Sequence, residues 1–140
     1  MKTLPIGSFC PRHLSLDETV AALLGTLNDY DPVVSERFQK RFNGLKPTHK
    51  ANAQRMVAGL VKQLGRFCPP FTYVGHHPTD ETLWGVWIDL GKLHRAEEQG
   101  RLVQGDAYPT KSRATYILVP QGHGIALFKR KGLQKLWETT

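Results

Sequence analysis

The feature that most constrains the fold is a single change of hydrophobic periodicity at Pro69-Pro70. Before it, apolar residues recur every three or four positions, the spacing of one helix face. After it, short runs of aromatic and β-branched residues are bounded by Gly, Pro and Asp, which is the pattern of strands and turns. A chain of 140 residues is of ordinary size for one domain. The expectation is one α+β domain over 1–140, with a helical half (1–68) and a mainly β half (69–140). Its three N-terminal helices would pack on a small, mainly antiparallel C-terminal sheet of about four strands.

Local signals place the elements. Ser15 and Glu18 form a capping box ahead of an apolar stripe, Leu16, Val20, Leu23, Leu24 and Leu27. Asp31-Pro32 reads as an N-cap with proline in the first turn, followed by Val34, Phe38 and Phe42 and a stop at Asn43-Gly44. A third helix is predicted from a Thr48 cap to Leu64, with Ala53, Met56, Val57, Leu60, Val61 and Leu64 facing the core. Strands are predicted at Phe71–Val74, Thr82–Leu90, Ala114–Val119 and Ile125–Arg130, with a short helix at Lys92–Gln99. The last two strands are joined by Pro120-Gln121-Gly122-His123-Gly124, whose glycines suit a hairpin. The tail Gly132–Trp137 reads as a helical turn docking Leu133, Leu136 and Trp137.

Charge is the second informative feature. The net charge is +7, which concerns partners more than fold. From Arg37 to Arg66 there are eight Lys or Arg and no acid, and from Ala107 to Trp137 six and no acid. Between them, Asp80 to Asp106 carries six acids against three basic residues. On a helical wheel Arg55, Lys62 and Arg66 lie opposite the core face, flanked by the small residues Ala51, Ala58 and Gly59. A mixed helix face would interleave Glu with Lys, and none is present. Lys50 in the first turn opposes the helix dipole unless an anion is bound. Arg37, Lys40 and Arg41 extend the same region.

The second basic block, Lys111, Arg113, Lys129, Arg130, Lys131 and Lys135, is interleaved with Tyr116 and Phe128. Such a mixture can hold phosphates while stacking bases, although both aromatics also suit a core and basic residues often solubilise a sheet edge. The expected function is therefore a non-enzymatic nucleic-acid-binding protein. Its contacts are Arg37, Lys40, Arg41, Lys50, Arg55, Lys62, Arg66, Arg113, Lys129, Arg130 and Lys131. The alternatives are a protein-binding inhibitor or adaptor on an acidic partner surface, and a small metal-independent ribonuclease built on His123, Tyr116, Arg113 and Lys129.

Other classes are excluded or disfavoured. His76-His77 beside Asp80 and Glu81 lacks the spacing of a metal site, and no metal or other cofactor is expected. Gly122-His123-Gly124 is too short for a phosphate cradle. Trp84 and Trp87, three apart, are expected on opposite faces of a strand, one in the core and the other either covered by helices or open to a partner. Met1–Pro11 has no apolar targeting segment, and no apolar run is long enough to span a membrane. With Cys10 and Cys68 expected as reduced thiols, a cytoplasmic location follows.

Overall fold

Four helices and two sheets are built from the described residues, and the elements alternate more than the periodicity implies. The computed structural model describes residues 2–9, 15–44, 50–105, 114–122 and 124–139. In chain order the elements are β1 (Gly7–Ser8), α1 (Leu16–Asn28), α2 (Pro32–Asn43), α3 (Lys50–Gly65), β2 (Thr72–His77) and β3 (Asp80–Ile88). There follow α4 (Leu90–Glu98), β4 (Leu102–Gln104), β5 (Tyr116–Gln121), β6 (Gly124–Lys129), a 3-10 turn (Lys131–Leu133) and β7 (Gln134–Glu138). They form two compact units, one of Met1–Cys68 with Tyr73–Trp87, the other of Pro69–Thr72 with Ile88–Thr140.

The helical unit is specified locally. Ser15 Oγ accepts from the Glu18 amide and the Glu18 carboxylate accepts from the Ser15 amide, so both predicted halves of the capping box exist. Asp31 Oδ1 accepts from the Val34 amide, with Pro32 opening α2. The Thr48 cap lies outside the described residues, and α3 ends at Gly65. Val20, Leu23, Leu24 and Leu27 of α1 interlock with Met56, Val57, Leu60 and Leu64 of α3, joined by Leu4, Val74 and Val86. The predicted core stripes are thus the real ones, with Val61 at the margin. A three-stranded sheet, order β1-β3-β2, completes the unit. Gly85 makes it possible: a Cβ there would run into the Gly7 carbonyl of the paired β1.

The second unit is a four-stranded sheet, order β4-β5-β6-β7, with α4 preceding it. β5–β6 and β6–β7 are antiparallel and β4–β5 is parallel. Its core is Leu93 and Ala96 of α4 with Leu102, Ile117, Leu118, Ala126, Leu127 and Trp137. Gly122 turns the β5–β6 hairpin at φ 58°, as the glycine there requires, whereas Gly124 is needed because the Thr139 carbonyl lies against it.

Three expectations need correction. The helices are not all N-terminal: α4, where the short helix is predicted, falls between β3 and β4 in the chain. There are two sheets instead of one. Finally, the tail is strand β7, not a helical turn. Trp137 is buried as expected, but Leu133 is 45% exposed and Leu136 half-buried. A five-residue strand with two apolar residues has little intrinsic preference. The β6 ladder supplies its hydrogen bonds, and that partner is not visible in local sequence.

Candidate functional site

The basic helices come first. Arg37, Lys40 and Arg41 of α2 and Arg55 and Lys62 of α3 are exposed, opposite the core face. Arg66 lies one residue past α3. α2 and α3 run antiparallel, as two contacts show. Asp31 meets Arg66, and Phe38, seven residues on, meets Gly59, seven residues back. The same register sets Phe42 opposite Arg55, so Arg41 and Arg55 share one end of the helix pair.

Several of these cations already have partners. Arg66 Nη2 donates to Asp31 Oδ2 at 2.8 Å, and its guanidinium lies over the Phe67 ring. That hydrogen bond, with the Val34 amide second, holds the Asp31 carboxyl below the ordinary carboxylate range; the charge of Arg37 adds a weaker pull. Lys40 pairs with Glu36 at 3.5 Å, and Arg41 sits over the Phe38 ring. Both acids lie just outside the acid-free stretch and reach back into it. Gly59, expected to admit a partner, is instead filled by Phe38, whose ring would be 3.0 Å from an added Cβ. Nothing is described of the Lys50 side chain.

The second unit holds a more concentrated arrangement. A cavity of about 370 Å³ is lined by Pro70, Phe71, Lys92, Arg95, Gln99, Arg101 and Tyr116. Lys92, Arg95 and Gln99 recur at i, i+3 and i+7, so they form one stripe along α4 and its cap. His94, Glu97 and Glu98 occupy the other flank. There His94 pairs with Glu98 at 3.1 Å, and Glu97 accepts from Gln104 at 3.0 Å. Lys92, Arg95 and Arg101 are all three basic residues of the acidic stretch Asp80 to Asp106. All three line this cavity, and among the described residues no carboxylate does.

Backbone and side-chain bonds engage these groups. Arg101 Nε donates to Gln99 Oε1 at 2.9 Å, and Arg95 Nε donates to the Gly91 carbonyl at 3.3 Å, so neither of these bonds uses the outer guanidinium nitrogens. Lys92 Nζ donates to the Thr72 carbonyl at 3.4 Å. Phe71 and Tyr116 meet edge to face, centroids 5.0 Å apart and planes at 84°. Phe71 is held with φ 62°. A non-glycine residue in that region stores about 1–3 kcal/mol and persists only where its surroundings impose it. Here they do: Asp89 N donates to the Phe71 carbonyl and Trp137 Nε1 to the Pro70 carbonyl, both at 2.8 Å.

Next to this cavity the same end of the sheet carries another. Ala114, Thr115, Lys129, Arg130 and Lys131 surround about 360 Å³. β5 begins and β6 ends here, with Tyr116 opposite Lys129 in the ladder, and β4 starts beside them just after Arg101. The end of one sheet therefore gathers Lys92, Arg95, Arg101, Lys129, Arg130 and Lys131 around two aromatic rings. Lys135, in the same basic block, is paired with Glu138 at 3.2 Å. Arg113, Lys111 and His123 lie outside the described residues.

Of the residues at this end of the sheet, Lys129, Arg130, Lys131 and Tyr116 are singled out by sequence, and Phe71, Lys92, Arg95 and Arg101 are not. The i, i+3, i+7 spacing on the predicted short helix was the available signal, masked by the acids around it. His76 lies against Trp84 with centroids 3.9 Å apart and planes tilted by 50°, and His77 meets Trp87 edge-on at 4.6 Å. Both tryptophans are half-buried, and Trp87 Nε1 donates to the Gly75 carbonyl. No cluster of three potential metal ligands occurs among the described residues, nor does any helix there have the length and apolarity to cross a membrane. Comparison with protein-family models, with curated proteins and with solved structures found no match.

Proposed function

We propose that this chain is a non-enzymatic nucleic-acid-binding protein that grips phosphates at the end of its four-stranded sheet. One observation carries the reading: six cations from two separate sequence segments converge on two adjoining cavities, with two aromatic rings and no carboxylate among the described lining residues. Gathering like charges costs free energy through mutual repulsion, and an anionic partner offsets it. A polyanion does so strongly, because each neutralised phosphate releases condensed counterions. Exposed Arg37, Arg55 and Lys62, with Lys40, Arg41, Lys50, Arg66 and Arg113, form further phosphate contacts in this reading.

The test is fluorescence anisotropy with labelled oligonucleotides across a salt series. Six phosphate contacts, one for each cation at the sheet end, give a slope of log K against log salt of about −4 on a single strand. The oligonucleotide should be recovered uncut. Absence of binding at low salt, or binding indifferent to salt, would sink the proposal.

A further inference from the structure

We infer that the cavity between Phe71, Tyr116, Lys92, Arg95 and Arg101 seats one unpaired nucleotide of a single strand, its base against the rings and its phosphate among the cations. This rests on the reading above and makes it specific. The volume, about 370 Å³, is at the small end of the range for ligand sites, about 300–1,000 Å³. It admits a nucleotide and not the width of a duplex. Two rings meeting at 84° form a corner: a flat base can stack on one and meet the edge of the other. In a duplex each base face is covered by its neighbours, so only an unpaired base can use that corner.

The mount of Phe71 is the second argument. Its positive φ is imposed by two short hydrogen bonds, from Asp89 and Trp137, to the carbonyls of Phe71 and Pro70. A glycine would sit there without strain, yet a ring is present, half-buried, on the cavity wall. Strain of this sort collects where a side chain must be presented for binding. The two arginines are exposed, and each spends only its Nε on a neighbour, Arg101 on Gln99 and Arg95 on the Gly91 carbonyl. Guanidinium groups suit phosphate oxygens, which accept paired N–H donors.

The experiment compares a ten-nucleotide single strand with its duplex at one salt concentration, for the full chain and for Phe71→Gly. The single strand should bind about tenfold more tightly. Phe71→Gly should lose about tenfold on the single strand and leave the duplex unchanged. Glycine accepts the backbone conformation, so relieved strain offsets part of the lost ring packing; Arg95→Gln, on the exposed face of α4, is an independent variant that should keep its melting temperature and also bind the single strand less tightly. Equal affinity for both forms, insensitive to Phe71, overturns this inference while leaving salt-dependent phosphate binding intact. No binding of either form overturns both. Displacement of the strand by a nucleoside monophosphate at millimolar concentration supports a single-nucleotide pocket. If the monophosphate binds but no strand does, the inference and the nucleic-acid reading are both overturned.

Discussion

The helical unit and the sheet unit carry comparable numbers of cations and use them differently. Along α2 and α3 the charges are spread over an exposed face, and the conspicuous ones are engaged: Arg66 with Asp31, Lys40 with Glu36, Arg41 with the Phe38 ring. At the end of the sheet, Lys92, Arg95 and Arg101 come from a stretch in which acids outnumber them, yet they line one cavity whose described lining holds no carboxylate, while Asp89 caps α4 through the Lys92 amide. Charge counted along the chain and charge gathered in space are different quantities. An acid-free segment can be neutralised by its neighbours, and an acidic segment can build a cationic site.

The contrast is broken or sharpened most directly by charge reversal. Replacing Lys92, Arg95 and Arg101 by Glu should weaken oligonucleotide binding more than about a hundredfold, since three attractive contacts become repulsive. The same treatment of Arg37, Arg55 and Lys62 should cost about tenfold or less. If the helical variant loses more, the two regions have been ranked in the wrong order.

A smaller effect tests the mount. Trp137→Phe keeps most of the buried ring but removes the donor to the Pro70 carbonyl, and should lower unfolding stability by about 1–3 kcal/mol in chemical denaturation. Single-strand affinity should fall with it, because the segment that presents Phe71 is loosened. Unchanged binding would mean that the hydrogen bond serves the fold alone.

Smaller again is the strain itself. Phe71→Ala and Phe71→Gly both lose the ring, but only glycine relieves φ 62°, so the glycine variant should be about 1 kcal/mol the more stable by thermal or denaturant unfolding. Equal stability would show that the backbone is not strained there.

The smallest effect concerns the helical unit. The Asp31 carboxyl is held below its ordinary range by Arg66, so the folded chain binds a proton there less readily than the unfolded chain. The stabilisation is complete above the ordinary aspartate value of about 3.9 and is lost as pH falls through the lower folded value. Asp31→Asn should therefore flatten the acid limb of the stability–pH curve and leave oligonucleotide binding at neutral pH nearly unchanged. A curve identical to the parent's would remove the ion pair from the account.

What could be read from sequence follows from the range of the interactions. Capping of α1 and α2 needs only residues three apart, Ser15 with Glu18 and Asp31 with Val34, and the stripes of α1 and α3 repeat within a few turns. These were legible. β1, β4 and β7 are two, three and five residues long and exist because distant strands complete their hydrogen bonding. Short strands carry too little pattern of their own to be seen. The cavity was hidden for the same reason: Phe71, Lys92, Arg101 and Tyr116 are brought together by α4 and the β4–β5 pairing, and only the spacing of Lys92, Arg95 and Gln99 is local. Gly59 shows the opposite error, since a small residue on a helix is open to a partner only if the chain's own Phe38 has not already filled it.

The central claim is that the sheet end, and not the helical face, is the main phosphate-binding surface. Backbone amide shifts recorded while a single-stranded oligonucleotide is titrated into the full chain test it most directly. The largest perturbations should fall on Phe71, Lys92, Arg95, Arg101, Tyr116 and Lys129 to Lys131. Perturbations confined to Arg37, Arg41, Arg55 and Lys62, with the sheet end silent, would contradict it.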